Sequence, residues 1–487
     1  MLFRQFFDPK LAQYAYLVGC QKSGEALIID PERDIDRYVE AAESEGLRIT
    51  AVAETHIHAD FLSGAREFAE RFGTRTYLSD EGGEEWASDW ARGGDYDVEF
   101  LKHGDTFQVG GIEVQAVHTP GHTPEHLSYV LIDRGGGAST PIGIATGDFV
   151  FVGDLGRPDL LEQAAGMHGV QEPSARQLFS SLPRFTELQD YVQVWPAHGA
   201  GSTCGKALGA VPQTTVGYER VHNASLGAAE RGEDGFVDAI LEGQPEPQTY
   251  FARMKRDNNG GVPILGQLPQ PQRLTLTEMQ RTVAEGNALI VDGRLDRAAF
   301  MGRHIPGSLF APMNKDFNTV VGSLVEDETT PLLLIVEEAQ VEEAVRDLVR
   351  VGYDNVVGFV PPETLTRYFD RGGESASIPR LDFQGLVELK DRDDTVVVDV
   401  RFQDEFAAGH VPGAVHASYT RLPSYVRERI PQGKTLVVHC SAGGRSGPAA
   451  AFLAREGFDV RYVDGPFEEY RKIGELEKTE APAQPVG

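Results

Sequence analysis

The residues best suited to chemistry in the first half of the chain are histidines and aspartates in short motifs that follow apolar runs. They are His56, His58, Asp60, His122, Asp148 and His198. Imidazole and carboxylate ligands together suit Fe, Zn or Mn. A single histidine is usually a core or surface residue, but an ordered set of this kind indicates a metal centre.

A second candidate centre is Cys440, which opens the glycine-rich loop 440–445 between an apolar run and a helical segment. Backbone N–H groups and the dipole at a helix N-terminus stabilise a cysteine thiolate. A thiolate is the nucleophile that accepts sulfane sulfur. Arg445 could hold an anionic substrate through paired hydrogen bonds. The loop therefore predicts sulfur transfer.

The elements that must position the metal motifs are short apolar runs. Residues 26–30 and 49–53 read as buried strands, and residues 34–45 have helical periodicity. Strands followed by loops rich in His and Asp predict a layered α/β domain with its chemistry on the loops. Residues 242–247 and 257–272 are rich in Gly, Pro and Asn, which is typical of connectors.

A weak internal repeat occupies the second half of the chain. Residues 289–308 and 396–414 both contain an apolar run ending in Asp-x-Arg, then a Phe, and then His-[Ile/Val]-Pro-Gly. Each copy has a later apolar run, at 332–336 and 435–439, followed by a helical segment. Two such copies predict two domains of one fold, each with a mostly parallel sheet.

The order His-x-His-x-Asp, Gly-His-Thr, Gly-Asp and Pro-Ala-His resembles the metallo-β-lactamase superfamily over roughly residues 1–250. Within that superfamily the sequence is most similar to the persulfide dioxygenases, with the glyoxalase II hydrolases next. Residues 145–159 and 250–255 carry the likeness to the dioxygenases.

One departure from the hydrolase pattern bears on the metal. Binuclear hydrolases have a histidine where this chain has Phe61, and a phenyl ring cannot bind a metal. The resemblance then implies one Fe(II) per chain, held by His56, His122 and Asp148. Two histidines and one carboxylate with open positions are typical of non-haem iron oxygenases. Zinc held by His56, His58 and His122 is the alternative.

Five further residues are expected to orient the ligands or to contact substrate: His58, Asp60, Arg157, His198 and Cys204. Arg157 could hold an anionic substrate or stabilise the fold. Cys204 could meet a persulfide near the iron or be an inert loop thiol. Cys20 is expected to be inert.

The Cys440 loop, together with residues 399–401 and 409–414, resembles the rhodanese family over about residues 380–475. In that family a Cys-x4-Arg loop goes with sulfur substrates, whereas Cys-x5-Arg relatives act on phosphate or arsenate. This implies a sulfurtransferase, with a phosphatase as the rival. The middle copy has Glu337 where the cysteine would stand and no glycine loop after it, so we expect it to be inactive and structural.

These resemblances predict an α/β multidomain protein with an αββα metallo-β-lactamase sandwich followed by two rhodanese-like α/β domains. The expected boundaries are 1–255 for the dioxygenase domain, 256–273 for a linker, 274–375 for the inactive rhodanese-like domain and 380–480 for the active rhodanese domain.

The implied enzyme is a persulfide dioxygenase with thiosulfate sulfurtransferase activity, which serves sulfide detoxification. It would oxidise a persulfide of glutathione, coenzyme A, bacillithiol or cysteine with O₂ to sulfite, and Cys440 would give thiosulfate. A glyoxalase II-like thioester hydrolase fused to rhodanese domains is the alternative. A sulfur carrier or redox-sensing scaffold without catalysis is the third hypothesis.

The net charge and the number of cysteines limit the partners and the compartment that we expect. The chain has 45 Lys and Arg against 74 Asp and Glu, a net charge of −29, which disfavours binding to nucleic acid or anionic membranes. No apolar run approaches the ~20 residues of a membrane span. Three widely spaced cysteines make a poor disulfide framework. We therefore expect a cytoplasmic protein, and a homo-oligomer with the middle domain as a candidate interface.

Overall fold

The computed structural model describes residues 1–160, 162 and 169–479. Their contacts divide the chain into two compact units: the first contains residues 1–247 and 251–267, and the second contains residues 248–250 and the chain from 268 onward. Residue 480, the end of the predicted active rhodanese domain, lies outside the described residues. Among the described residues, no helix combines the length and the apolarity that a bilayer span requires.

The first unit contains two six-stranded sheets. The first sheet has the order β1-β2-β3-β4-β5-β6, with strands β1 (Leu2–Asp8), β2 (Gln13–Cys20), β3 (Glu25–Ile29), β4 (Arg48–Ala53), β5 (Arg75–Ser79) and β6 (Val98–Leu101). The second sheet has the order β12-β11-β10-β9-β8-β7, with strands β7 (Thr106–Val109), β8 (Ile112–His118), β9 (Leu127–Asp133), β10 (Gly143–Gly147), β11 (Gln193–Pro196) and β12 (Thr214–Thr215).

The α-helices described in this unit are α1 (Asp36–Ser44), α2 (Ala65–Phe72), α3 (Gln171–Thr186), α4 (Val216–His222), α5 (Ala224–Ala228), α6 (Glu233–Leu241) and α7 (Phe251–Gly260). Short 3-10 helices lie at Glu84–Trp86, Asp89–Ala91, Arg134–Gly136 and Ala229–Arg231.

The main core of this unit lies between its two sheets. Val18 and Leu27 of the first sheet and Val114, Leu131 and Trp195 of the second are buried in one apolar cluster. Residues on strand β8 alternate between this core and the outer face, as expected for a sheet packed on both sides by different layers. Helices α1 and α2 pack on the first sheet, and α3 and α6 pack on the second. The predicted αββα sandwich is therefore confirmed.

Helix α7 extends into the segment predicted as the start of the linker. Residues 256–260 belong to this helix. The reason is a buried side chain: the Asn258 amide donates to the backbone oxygens of His58, at 2.8 Å, and Phe61, at 2.7 Å. The helix is thus held against the loop that carries the metal motif.

The second unit contains two smaller sheets, in which every described pairing is parallel. The first has the order β14-β13-β15-β16, with strands β13 (Leu289–Asp292), β14 (Leu309–Phe310), β15 (Leu332–Ile335) and β16 (Val356–Val360). The second has the order β17-β21-β20-β18-β19, with strands β17 (Arg380–Leu381), β18 (Thr395–Asp399), β19 (Val415–His416), β20 (Thr435–His439) and β21 (Asp459–Val463).

The α-helices described around the middle sheet are α8 (Leu276–Glu285), α9 (Arg297–Gly302), α10 (Phe317–Leu324), α11 (Val341–Arg350) and α12 (Pro362–Asp370). Those around the last sheet are α13 (Phe383–Leu389), α14 (Gln403–Ala408), α15 (Leu422–Glu428), α16 (Ser446–Arg455) and α17 (Phe467–Ile473). Short 3-10 helices lie at Glu338–Gln340 and Tyr419–Arg421.

The two small sheets repeat one another. The order β14-β13-β15-β16 corresponds to β19-β18-β20-β21, and all of these pairings are parallel. The same side-chain contact recurs after each first strand: His304 Nδ1 lies 2.9 Å from the Phe300 oxygen, and His410 Nδ1 lies 2.9 Å from the Phe406 oxygen. The shared His-[Ile/Val]-Pro-Gly motif therefore serves the fold in both copies.

The sandwich core predicts a measurable contrast between two valines. Val114 is fully buried, whereas Val221 is 74% exposed. Val114→Ala should lower the free energy of unfolding by about 2 kcal/mol, because buried methyl groups and their packing are lost. Val221→Ala should change it by less than about 0.5 kcal/mol. Urea unfolding followed by tryptophan fluorescence reports on this unit, since all three tryptophans lie in it. Equal effects of the two substitutions would contradict the core assignment.

Candidate metal centre and sulfur-transfer loop

His56, His122 and Asp148 come together at one end of the sandwich. His56 lies in the loop after β4, His122 in the loop between β8 and β9, and Asp148 directly after β10. One candidate ligand atom from each of the three residues lies within 4.8 Å of the others, and all three side chains are buried. The structure therefore places the three residues predicted to bind the metal in one group.

His56 is oriented by a short hydrogen-bond chain. Asp30 accepts from the Thr55 backbone N–H, at 2.7 Å, and from the Thr55 hydroxyl, at 2.9 Å. Since the hydroxyl proton points to Asp30, the Thr55 oxygen accepts from His56 Nδ1, which lies 2.9 Å away. This tautomer leaves the lone pair of His56 Nε2 available for a metal.

His122 is oriented in the same way by a backbone carbonyl. Its Nδ1 lies 2.9 Å from the Arg157 oxygen, and its Nε2 lies 3.3 Å from Asp148 Oδ2. Burial lowers the pKa of His122 to about 4. Burial and neighbouring imidazoles also lower the pKa of His56 well below its usual range. Both rings are therefore neutral at pH 7, which is the form that binds metals.

The surroundings of Asp148 fit a cation. Its carboxylate is fully buried, and no N–H or O–H group in the described chain donates to either oxygen. The Cys204 thiol, a weak donor, faces it, and burial raises the pKa of Asp148 to about 6. The Asp148 backbone N–H donates to His126 Nε2 at 3.0 Å, which fixes the position of the residue. Buried acceptors that face one another without donors are the arrangement that a bound metal relieves.

His58 points away from this group. Its Nε2 lies 2.9 Å from Glu54 Oε2 and 3.3 Å from Asp30 Oδ1. Although burial opposes a charge there, these two carboxylates raise the pKa of His58 well above its usual range. The Phe61 ring lies 4.4 Å from the His58 ring. Because His58 Nε2 faces these two carboxylates and not His56 and His122, the contacts disfavour the alternative zinc set that includes His58.

A second buried group consists of Asp60, His198 and Cys204, whose ligand atoms also lie within 4.8 Å of one another. His198 Nδ1 lies 3.2 Å from the Ala12 oxygen, and its Nε2 lies 3.3 Å from Asp60 and 3.5 Å from Asp148. Burial raises the pKa of Asp60 to about 6 and that of Cys204 well above its usual range. These three residues therefore adjoin Asp148, next to the first group.

Arg157 stabilises the fold of this region. Its side chain is 1% exposed. The guanidinium donates to Asp159, at 2.7 and 2.9 Å, to the Thr203 oxygen, at 3.0 Å, and to the Pro245 oxygen. Because these donors are already engaged, the contacts favour the structural role over substrate binding. The Arg157 backbone oxygen still bears on the site, since it orients His122.

The sequence patterns missed Asp30, Thr55 and His126, which hold the ligands, and Glu54, which pairs with His58. Three of them were visible as polar residues at the ends of apolar runs: Asp30 directly follows β3, and Glu54 and Thr55 follow β4. That position was the available signal, because buried polar residues at strand ends usually have a partner. Nothing in the sequence indicated which partner each would have.

Cys440 lies directly after β20 and is 2% exposed. The Gly443 backbone N–H donates to its Sγ at 3.0 Å. Helix α16 begins six residues after the cysteine, at Ser446. One backbone N–H therefore faces the thiol, in the loop that leads into this helix.

Arg445 is engaged with a carboxylate on helix α14. Both of its terminal nitrogens donate to Glu405, and Nη2 also donates to the Ser441 hydroxyl at 2.8 Å. The guanidinium lies over the Phe402 ring, 4.9 Å from its centroid. These contacts hold Arg445 at the edge of the Cys440 loop. An anionic substrate would have to share the guanidinium with Glu405.

The corresponding turn of the middle copy differs. Glu337 follows β15 and is exposed, and the 3-10 helix Glu338–Gln340 leads directly into α11. A carboxylate cannot carry a persulfide, and no glycine loop surrounds it. The middle copy therefore lacks a nucleophile at the position that Cys440 occupies in the last copy.

Comparison with known protein families agrees with this geometry. Residues 8–198 match the metallo-beta-lactamase superfamily, and residues 383–473 match the rhodanese-like domain. A crystal structure titled metallo-beta-lactamase from Staphylococcus aureus subsp. aureus COL is 39% identical, with a TM-score of 0.65, and the match covers 74% of this chain and 99% of that one. The chain belongs to the metallo-β-lactamase superfamily and carries a rhodanese-like domain after the sandwich.

Two curated relatives match the first part of the chain. The mitochondrial persulfide dioxygenase ETHE1 of Bos taurus is 28% identical over 201 residues, which are 41% of this chain and 68% of that protein. A beta-lactamase hydrolase-like protein of Xylella fastidiosa (strain 9a5c) is 28% identical over 295 residues, which are 55% of this chain and 61% of the relative's length. The sandwich domain is thus related to persulfide dioxygenases as well as to hydrolases.

The ligand group predicts a contrast between two histidines of one loop region. His122→Ala should abolish stoichiometric metal binding, because a neutral, oriented imidazole is lost from the group. His118→Ala is the matched control, since His118 Nε2 contacts the Pro124 oxygen and the ring is not part of the group. Metal content after anaerobic iron loading and desalting measures the difference. Full iron binding by His122→Ala would refute the assignment.

Proposed function

We propose that this chain oxidises low-molecular-weight thiol persulfides to sulfite at a single iron in the first unit and transfers sulfane sulfur through Cys440 in the second. The observation that carries the proposal is the group His56, His122 and Asp148. It combines two neutral imidazoles with one carboxylate that lacks N–H and O–H donors. The relationship to persulfide dioxygenases supports the choice of substrate.

In this proposal the three residues hold Fe(II), which supplies the redox chemistry by which O₂ oxidises the terminal sulfur. The overall reaction converts one persulfide anion, one O₂ and one water into one thiol, one sulfite and one proton. Thr55 and the Arg157 carbonyl keep the two imidazoles in the ligand tautomer. The protein's contribution is thus the orientation of the ligands and of the substrate.

We place the thiol carrier at a cavity that His56 helps to line. Its lining includes His56, Trp86, Glu125 and Arg66. Lys255, on helix α7, lies over the Trp86 ring with its Nζ 3.8 Å from the centroid. Glu54 and Glu125 also line the cavity, and Arg66 and Lys255 are the cations that would attract the carboxylate or phosphate groups of glutathione or coenzyme A.

Cys440 would complete the sequence by accepting sulfane sulfur and passing it to sulfite. In the second step the S–S bond of the Cys440 persulfide breaks, a new S–S bond to sulfite forms, and the electron pair stays on the Cys440 thiolate. The product is thiosulfate. The Gly443 N–H donates to Sγ, which favours a thiolate as the leaving group, and Arg445 would attract the anions.

The wider assignment covers the domains, the location, the assembly and the biological role. We propose that residues 1–255 form the dioxygenase domain, 274–375 the inactive rhodanese-like domain and 380–480 the sulfurtransferase domain, within a cytoplasmic homo-oligomer that serves sulfide detoxification. The acidic charge of the whole chain supports a role apart from nucleic acid and membrane surfaces.

A two-metal thioester hydrolase is the second candidate, because Asp60, His198 and Cys204 form another buried group beside Asp148. Against it, position 61 is a phenylalanine and His58 is paired with Glu54. The comparison of products from glutathione persulfide and from S-lactoylglutathione separates the two functions.

If the two centres act independently, a substitution at Cys440 should abolish sulfur transfer and leave sulfite release intact. Cys440→Ser should abolish sulfur transfer from thiosulfate to cyanide, because the hydroxyl is a far weaker nucleophile than a thiolate. The same variant should still release sulfite from glutathione persulfide at close to the wild-type rate. Cys20→Ser is the matched control and should retain both activities. Loss of sulfite release in Cys440→Ser would contradict two separable centres, and hydrolysis of S-lactoylglutathione without sulfite release would favour the hydrolase.

A further inference from the structure

The middle copy of the repeat contacts one glycine of the Cys440 loop, Gly443, and one glycine of the helix that follows it, Gly447. Helix α16, which follows the loop, packs against strand β14 of the middle copy. A Cβ placed on Gly447, in the first turn of that helix, would lie 3.0 Å from Arg297 Cδ and 3.3 Å from the Phe310 ring. The nucleophile-free copy therefore reaches the loop that carries the nucleophile.

The contact at Gly443 is closer and involves charge. Gly443 has a φ of +85°, which only glycine adopts readily. A Cβ at this position would lie 2.7 Å from Arg297 Nη2 and 2.8 Å from Asp464 Oδ1. Arg297 also donates to Asp464, which follows β21 of the last copy. An ion pair between the two copies thus lies directly against Gly443.

Gly443 is the residue that contacts the reactive sulfur. Its N–H donates to Cys440 Sγ at 3.0 Å, and its carbonyl accepts from the Ser446 hydroxyl at 3.2 Å. A change in the backbone at Gly443 would therefore turn the N–H away from the sulfur. The chain of contacts runs from Arg297 to Gly443 and from Gly443 to the thiol.

We propose that Arg297 of the middle copy is a positioning residue for sulfur transfer: with Asp464 it holds Gly443 in the conformation that directs its N–H to Cys440. The inference rests on the proposed role of Cys440 and goes beyond it, since it assigns a task to the copy that has Glu337 in place of a nucleophile. The guanidinium also adds positive charge beside a loop whose reacting groups are anions.

The test uses the full chain and two readouts on Cys440. The first is the rate of sulfur transfer from thiosulfate to cyanide, separated into kcat and KM. The second is the rate of alkylation by iodoacetamide, followed by mass spectrometry on the peptide that contains Cys440. Arg297→Ala should lower kcat and the alkylation rate about tenfold, because an N–H donor to a charged sulfur is no longer held in place.

Two further variants keep the result interpretable. Arg297→Lys retains the charge beside Asp464 and should recover part of both rates. Arg303→Ala is the matched control, because Arg303 stacks on Phe369 within the same copy and should leave both rates unchanged. Wild-type rates in Arg297→Ala, or an equal fall in Arg303→Ala, would overturn the proposal. A wild-type protein that transfers no sulfur would refute the proposed function instead, while the alkylation rates would still decide the role of Arg297.

Discussion

The candidate metal centre depends on holding several buried hydrogen-bond acceptors close together although no donor lies between them. Asp148 lies 3.3 Å from His122 Nε2 and 3.5 Å from His198 Nε2, and neither contact has a donor when Nδ1 of each ring carries the proton toward its backbone oxygen. Such an arrangement costs free energy in a buried site unless a cation is bound. The surrounding loops therefore have to offset that free-energy cost, and they do so through hydrogen bonds that hold the side chains in place.

Those hydrogen bonds come from the backbone and from side chains at strand ends. Asp30 and Thr55 set the tautomer of His56, and the Arg157 and Ala12 carbonyls set those of His122 and His198. Each orienting group is anchored by the sandwich or by the loops at its edge. The same principle operates at Cys440, where a backbone N–H rather than a side chain faces the reactive atom.

The sequence predicted the parts of the site that follow from motif order, and it failed where partners are distant along the chain. His56, His122 and Asp148 converge because each motif follows a strand whose end lies at the same edge of the sandwich. The turn of His58 toward Asp30 depends on a contact 28 residues away in the chain, which no local pattern reveals. The burial of Arg157 likewise depends on distant backbone oxygens.

The fold, too, was predictable where it follows from local patterns and not where it depends on distant contacts. A layered α/β domain and the parallel sheets followed from strand patterns and from the internal repeat, because periodicity reflects which face is buried. The αββα sandwich followed from the resemblance to the metallo-β-lactamase superfamily. Helix α7 could not be predicted in full, since its polar residues 256–260 resemble a connector. They are held in place by the buried Asn258 amide. The role that we propose for the middle copy could not be inferred from the sequence either, because Arg297 contacts residues more than a hundred positions away in the chain.

The most direct test of the central claim is O₂ consumption by the anaerobically iron-loaded protein on addition of glutathione persulfide, with metal analysis on the same sample. A mononuclear iron dioxygenase would take up O₂ in proportion to iron, with one iron per chain, and would take up none when loaded with zinc. An absence of uptake by a protein that holds two zinc ions and hydrolyses thioesters would contradict this function.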